Sequence, residues 1–177
     1  MARMWFMAAA HYGHVPAVKV LGDMYHDGYG GARSYKEALA QYNAAGDMRH
    51  AGARYEAGGM YERGEGVKAD LLTALRYYAS AARFGDAFAA YTVAVAYDTG
   101  TGVPVDQKMA LVFYKHAALL GSAEAQTALG TYFYEGGGVL EKDHVQARAW
   151  FTEAALRGDP DAMVKLAAML IKGEGGG

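Results

Sequence analysis

The chain repeats itself every 36 residues, and this periodicity restricts the fold more than any other property of the sequence. An aromatic side chain marks the first four copies, at Tyr25, Tyr61, Tyr97 and Phe133. Leu170 takes the same place in the last copy, 37 residues after Phe133, because the preceding loop holds one extra residue. Such self-similarity is typical of arrays in which each repeat packs only against its neighbours.

Glycines recur at fixed distances from these markers. A pair stands three and five residues after each marker: Gly28 and Gly30, Gly64 and Gly66, Gly100 and Gly102, Gly136 and Gly138, Gly173 and Gly175. The first glycine of each pair suits a left-handed helix end, which glycine adopts without steric cost. A second, shorter turn is marked by Gly13, Gly85, Gly121 and Gly158, and Arg49 replaces the glycine in one repeat. The pattern predicts two helices per repeat.

Both helices of a repeat carry a recognisable pattern. The second helix begins at a predicted N-cap, either Ser34, Asp70, Asp106 or Asp143, and Glu37 and Gln146 complete two capping-box spacings. It continues with an alanine, a bulky pair and two small residues, as in Ala74, Tyr77, Tyr78, Ala81 and Ala82. The first helix has a small residue three positions before its marker, at Gly22, Gly58, Ala94, Gly130 and Ala167. Small residues at these points predict close helix crossing.

We therefore predict an all-α fold, a right-handed α-α superhelix (solenoid) of about five two-helix repeats of 36–37 residues. First helices are predicted at 15–27, 51–63, 87–99, 123–135 and 160–172. Second helices are predicted at 2–12, 34–46, 70–84, 106–120 and 143–157. Residues 1–177 are expected to form a single solenoid that starts within one repeat and ends within another, as a segment of a longer protein would.

Composition and charge disfavour several classes of partner. A formal net charge of −2 without any run of lysine or arginine provides no field for a phosphate backbone, so no nucleic acid is predicted as a partner. The absence of cysteine excludes disulfides and thiolate zinc sites and favours a reducing compartment. Because no stretch has the length and hydrophobicity of a membrane span or a signal peptide, we expect no membrane association and a cytoplasmic location.

No catalytic, cofactor or metal site is predicted. The glycine pairs follow helices and carry no Gly-Lys-Ser/Thr sequence, so they are interpreted as turns rather than phosphate-binding loops. His11, His14 and His26 lie near Asp23 in the sequence, but they flank a turn without an obvious fourth ligand. Surface histidines are the favoured interpretation.

Taken together, these motifs resemble a known family. Ala125 through Val139 and Asp106 through Gly121 are similar to the two halves of the Sel-one-like repeat, a relative of the tetratricopeptide repeat. The resemblance implies a scaffold or adaptor that binds a peptide or partner protein in a concave groove. One alternative is a structural spacer within a larger solenoid. A remote one is a cell-wall-related hydrolase, suggested by analogy with cysteine-rich bacterial relatives and disfavoured by the absence of cysteine.

The resemblance also implies where the groove would lie. In the tetratricopeptide array, positions three before and one or four after the small crossing residue point into the groove. The positions selected here are Lys19, Asp23, His26, Tyr55, Glu62, Tyr91, Val95, Asp98, Thr127, Thr131 and Tyr134. Their acidic members favour a basic or amide-rich ligand. The protein is expected to be a monomer, or to self-associate weakly through terminal helices that expose apolar residues around Met4, Trp5, Met169 and Leu170.

Overall fold

A computed structural model describes residues 1–136 and 139–176, and the described chain contains ten α-helices. They are α1 (Ala2–His11), α2 (Val15–Asp27), α3 (Tyr35–Asp47), α4 (Ala51–Arg63), α5 (Leu71–Arg83), α6 (Ala87–Thr99), α7 (Gln107–Leu119), α8 (Ala123–Glu135), α9 (His144–Leu156) and α10 (Pro160–Lys172). The even-numbered first helices have the predicted bounds, and the second helices agree to within one residue at each end. The predicted all-α fold of two-helix repeats is confirmed.

The chain divides into two compact units, residues 1–86 with α1 to α5 and residues 87–177 with α6 to α10. In each unit a first helix makes its most extensive contact with the second helix that follows it. In the first unit, the core contains Tyr42, Ala45 and Met60. In the second, Phe151, Ala154 and Met169 are buried together. The alternation of rings and alanines predicted from the sequence therefore forms both cores.

Most of the predicted helix starts have the expected cap. The carboxylates of Asp70, Asp106 and Asp143 each accept a hydrogen bond from a backbone N–H in the first turn, at 3.2, 3.0 and 2.9 Å. Ser34 occupies the N-cap position of α3, but its side chain accepts no capping hydrogen bond, so the capping box predicted with Glu37 is wrong. The backbone oxygen of Ser34 still accepts from the N–H of Ala38, which begins the helix without the side chain.

The turns follow the glycine pattern closely. Gly28, Gly64 and Gly173 end α2, α4 and α10 in the left-handed conformation. Gly136 has φ +69° but ψ −168°, so it leaves α8 in an extended conformation rather than the predicted left-handed helical one. Gly138 lies outside the described residues. Arg49 keeps the turn of its repeat by adopting φ +66°, the only positive φ of a non-glycine residue in the part of the chain that the structure describes.

Small residues bring the two helices of a repeat together, as predicted. A Cβ added to Gly22 would stand 2.6 Å from the ring of Tyr42, and one added to Gly58 would stand 2.7 Å from the ring of Tyr78. Real Cβ contacts do not come so close, because carbon atoms pack at about 3.5–4.0 Å. Each ring therefore lies directly on a glycine of the preceding helix, and this contact sets the position of the side chains around it.

Candidate partner-binding face

Three buried or nearly buried tyrosines of second helices donate hydrogen bonds to carboxylates of first helices. Tyr42 donates to Asp23 at 2.9 Å and Tyr78 donates to Glu62 at 2.5 Å in the first unit. Tyr114 donates to Asp98 at 3.1 Å in the second unit. All three carboxylates belong to the predicted groove set. These bonds place an acidic group on the first helix of three successive repeats. Glu62 and Asp98 stand four residues after the small crossing residue, and Asp23 stands one residue after it.

The tyrosines are suited to hold these carboxylates. Burial raises the pKa of Tyr42, Tyr78 and Tyr114, and the neighbouring carboxylate raises it further in each case. The phenols therefore remain protonated donors at any physiological pH. A hydrogen bond to a charged group is stronger than a neutral one, so each carboxylate is held in one orientation instead of sampling several.

The first unit brings most of its predicted site residues onto α2 and α4. Lys19 pairs with Asp23 at 2.9 Å along α2, which leaves Asp23 with both a lysine and a tyrosine partner. Glu62 is more exposed than Asp23, and its only described side-chain partner is Tyr78. The ring of Tyr55 lies over the ring of Tyr78, with 5.0 Å between centroids. Tyr55 is thus partly buried by its packing on Tyr78.

His26 is held between two carboxylates. Its Nδ1 lies 2.7 Å from Asp27 Oδ1 and its Nε2 lies 3.0 Å from Glu65 Oε2, while Arg63 donates to Glu65 at 2.8 Å. Burial lowers the pKa of His26, but the hydrogen bonds to Asp27 and Glu65 outweigh it, so the pKa lies above its ordinary value of 6.5. The hydrogen bond from Arg63 is the main reason that the pKa of Glu65 lies below its ordinary value. His26 therefore connects α2 to the loop after α4.

The second unit has a more concentrated acidic feature. Asp98 accepts hydrogen bonds from both Tyr114 and Tyr132. It lines a cleft of about 520 Å³ together with Gln107, Thr131, Tyr132 and Glu135. Among the described residues that line it, two are carboxylates and none is basic. We name this the Asp98 cleft. Its carboxylate, amide and hydroxyl groups are suited to accept hydrogen bonds from a cationic or amide group.

The remaining predicted residues of the second unit differ in exposure. Tyr91 lies against the ring of Tyr114 at 5.9 Å, and Val95 is half-buried. Thr127 is only 9% exposed, and its hydroxyl donates to a backbone carbonyl of its own helix. Thr131 does the same but lines the Asp98 cleft. Tyr134 stacks on His144, at 5.0 Å and 15°, so it lies toward α9.

Sequence reasoning did not select several residues of the Asp98 cleft. Tyr132 stands one position before the marker Phe133, where other repeats have Met24, Met60 and Ala96. A hydroxyl at a position otherwise filled by apolar side chains is a signal that could have found it. Glu135 and Gln107 offer no comparable signal, because a solvated helix end usually accounts for such residues. Their convergence depends on how α8 packs against its neighbours.

Five tandem matches to the Sel1 repeat model cover residues 16–50, 51–86, 87–122, 123–159 and 160–177. The chain belongs to the Sel1 repeat family. Sel1 repeat proteins are generally non-enzymatic scaffolds for protein interactions.

Solved structures of Sel1 repeat proteins share this fold. A Sel1 repeat protein from Oxalobacter formigenes is 26% identical, with a TM-score of 0.84 over 99% of this chain and 74% of that one. A protective antigen of uropathogenic Escherichia coli, described as displaying an SLR fold, is 29% identical, with a TM-score of 0.85 over 98% of this chain and 37% of that one.

More distant relatives support the fold alone. An immunity protein from Pseudomonas aeruginosa is 22% identical, with a TM-score of 0.53 over 90% of this chain and 59% of that one. Comparison with curated proteins yields no match.

Among the described residues of this Sel1 repeat chain, no group of three or more histidine, cysteine, aspartate or glutamate side chains is arranged to hold a metal ion. None of the described helices is long and apolar enough to cross a membrane.

Proposed function

We propose that this Sel1 repeat protein is an interaction scaffold that binds a basic peptide segment of a partner protein. The proposed binding residues lie on the first helices of its repeats. The observation that carries the proposal is the repeated pairing of a first-helix carboxylate with a buried tyrosine, at Asp23, Glu62 and Asp98. Acidic groups that are fixed before binding lose little conformational entropy when a ligand arrives.

Charge favours a cationic segment over an anionic or neutral one. The described lining of the Asp98 cleft contains Asp98 and Glu135 and no basic side chain. In the first unit, Glu62 adds an exposed carboxylate next to the ring of Tyr55, which packs on Tyr78. A lysine or arginine side chain would find a carboxylate for its charge and an aromatic ring for its alkyl stem or guanidinium plane.

The tyrosines of the face would supply contact area. Tyr55 and Tyr91 are half-buried against tyrosines of the following helices, so their rings are already restricted before a partner binds. Tyrosine is enriched among residues that dominate interface energetics, because a large ring is immobilised at low entropic cost. The first helices of each unit therefore combine ordered rings with ordered carboxylates, which suits a peptide that carries both basic and apolar side chains.

Selection from a random dodecapeptide library displayed on phage tests the proposal. We expect the enriched peptides to carry lysine or arginine, and their affinity to fall as salt concentration rises. A triple variant, Asp23→Asn, Glu62→Gln and Asp98→Asn, keeps the shape of the face while removing three charges. It is expected to bind a selected peptide at least tenfold more weakly, measured by fluorescence anisotropy.

The matched control removes the same number of charges elsewhere. Glu37→Gln, Glu141→Gln and Glu153→Gln alter exposed carboxylates of α3, the loop before α9 and α9. This control variant should bind the selected peptide as the unmodified protein does. Enrichment of neutral or acidic peptides, or equal weakening in both triple variants, would contradict the proposed site.

A further inference from the structure

The Asp98 cleft lies at a place that recurs along the chain, because equivalent residues of successive repeats take equivalent positions. Two repeats earlier, the residues that correspond to Asp98, Gln107, Thr131, Tyr132 and Glu135 are His26, Tyr35, Gly59, Met60 and Arg63. All of these counterparts belong to the first unit, and the cleft belongs to the second. The same place in the repeat can therefore be compared in two units, each described by itself.

In the first unit, a cation of the chain itself occupies this place. Arg63 is the last residue of α4 and folds back along the helix, so that a Cβ added to Gly59 would stand 2.8 Å from its Nη1. The Nη2 of Arg63 donates to Glu65 at 2.8 Å, and His26 lies 3.0 Å from the same carboxylate oxygen. Arg63 thus shows where a guanidinium fits in the repeat, and an acid of the same chain neutralises it.

The last repeat also has a cation at this position. Lys172 corresponds to Arg63 and is the last residue of α10, where its Nζ donates to the hydroxyl of Tyr134 at 3.1 Å. Basic side chains are favoured at the C-terminal end of a helix, because they interact with its unpaired carbonyls and with the helix dipole. Arg63 and Lys172 both match this preference.

Glu135 places a carboxylate where these two repeats have a cation. It is the last residue of α8, where the helix dipole disfavours a negative charge. Asp98 takes the place of His26 in the same cleft, so both positions have changed from basic to acidic. The result is an open cleft of about 520 Å³ in place of an internal ion pair. Helix stability does not account for Glu135, whereas binding of a cation from outside the chain does.

Asp98 is arranged to receive a planar, forked donor. Tyr114 donates to its Oδ2 and Tyr132 donates to its Oδ1, which leaves each oxygen able to accept one further hydrogen bond. In other repeats the position of Tyr132 is filled by a buried methionine, Met60 or Met169, although Met169 was expected to be exposed. A guanidinium offers two parallel N–H groups to a carboxylate, and an ammonium group does not.

We propose that the Asp98 cleft binds the guanidinium of one arginine side chain of the partner peptide. The inference rests on the proposed function and adds that an arginine, rather than a lysine, anchors the peptide in the second unit. Asp98 would accept two parallel hydrogen bonds, and Glu135 would accept from the remaining N–H groups. Thr131 replaces Gly59, so this guanidinium would lie farther from its first helix than that of Arg63 does.

Three capped tripeptides test the cleft without a selected peptide. Their central residue is arginine, lysine or citrulline between two glycines, and citrulline keeps the shape of arginine without its charge. Each is titrated into the isotope-labelled 177-residue chain and followed by NMR. The arginine peptide should give saturable shifts at the amides of Thr131, Tyr132 and Glu135. It should bind about threefold or more tightly than the lysine peptide and about tenfold or more tightly than the citrulline peptide.

Variants of Glu135 test the assignment from the side of the protein. Glu135→Arg supplies the cation that Arg63 and Lys172 supply in other repeats, so it should bind the arginine peptide about tenfold or more weakly. It should also melt at a higher temperature than the unmodified protein, because arginine suits a helix C-terminus. Glu135→Gln keeps the shape of the side chain and should weaken binding as well. Glu153→Arg, on an exposed residue of α9 outside the described lining, should leave the affinity unchanged.

Several results would overturn the arginine site: no shift with the arginine peptide, equal affinity for the lysine or citrulline peptide, shifts centred away from the cleft, or full affinity in folded Glu135→Arg. The proposed function would survive them if phage-selected basic peptides still lost affinity in the triple variant of Asp23, Glu62 and Asp98. Selection of neutral or acidic peptides would instead contradict the proposed function, while saturable arginine shifts at the cleft would still support the arginine site.

Discussion

Gly130 lies directly beneath the ring of Phe151, so closely that an added Cβ would stand 2.5 Å from Cε1. The ring itself is 1% exposed and belongs to the core of the second unit, together with Ala154 and Met169. Neither partner can therefore move freely. The contact between α8 and α9 depends on the absence of a side chain at one residue and the presence of a ring at the other.

We expect Gly130→Ala to destabilise the protein by about 1–3 kcal/mol, the usual cost of overpacking a core. Gly130→Leu should cost more, because its larger side chain must displace the whole of α9. Gly52→Ala is the matched control: Gly52 is also helical, but its added Cβ would meet the His50 side chain at an ordinary 3.5 Å. It should leave stability unchanged or raise it by a few tenths of a kcal/mol. Equal urea midpoints for Gly130→Ala and Gly52→Ala would show that α9 moves away from α8 at little cost in free energy.

Variants of two turn residues with positive φ, Gly85 and Arg49, should distinguish the cost of backbone strain from the cost of lost packing. An added Cβ on Gly85, at φ +95°, would meet nothing within 4 Å, so Gly85→Ala tests the backbone conformation alone. It should lower the free energy of unfolding by about 1–2 kcal/mol, measured by urea unfolding.

At Arg49, φ +66°, the side chain lies over the Phe84 ring at 5.6 Å and offsets part of the strain. Arg49→Gly should therefore be more stable than Arg49→Ala by about 1 kcal/mol in urea unfolding. Equal stability of Arg49→Gly and Arg49→Ala would mean that the turn adopts an unstrained backbone conformation in the alanine variant.

The His26 cluster should make stability depend on pH. Because the folded pKa of His26 is raised, its contribution is complete below about pH 6.5 and is lost as pH rises through the folded pKa. Because the folded pKa of Glu65 is lowered, its contribution to stability is present above about pH 4.5 and is lost as pH falls through the folded pKa. The cluster should therefore contribute most in mildly acidic solution.

Urea midpoints measured near pH 6 and near pH 8 test this dependence. The unmodified protein should lose stability at the higher pH, and His26→Gln should lose less. His11→Gln is the control, because His11 is exposed and packs edge-on against Tyr12. A fall in stability of the same size in the His26 and His11 variants would show that the dependence arises elsewhere.

Replacement of Tyr55, Tyr91 and Tyr134 together tests their proposed role in binding. The triple alanine variant should lose binding of the selected peptide and keep its helical circular-dichroism signal. It should also melt at a lower temperature, because Tyr55 and Tyr91 pack on Tyr78 and Tyr114 and aromatic pairs contribute about 0.5–1.5 kcal/mol each. The triple phenylalanine variant keeps the rings and should retain stability and most of the binding. Unchanged binding by the alanine variant would move the site away from these rings.

Local sequence was sufficient for the helices and turns. The bounds of α2, α4, α6, α8 and α10 could be predicted to the residue, because a turn glycine or a capping side chain acts on the few residues beside it. The small crossing residues could be predicted as well, since they recur at the repeat period. Ser34 shows where such inference fails: the residue type suits a cap, but whether its hydroxyl turns toward the helix depends on a rotamer that sequence does not specify.

Only the tertiary structure decided which side chains meet. His26 and Glu65 are 39 residues apart, and Tyr132 reaches Asp98 over 34 residues, so neither pairing could be derived from spacing on a single helix. The repeat period brings equivalent residues to equivalent places, but the partners of Asp98 and Glu65 break that equivalence. Backbone geometry is set by local steric limits that each residue type obeys on its own. A side-chain contact exists only when two helices have packed, and its chemistry depends on the particular residues that the packing brings within reach.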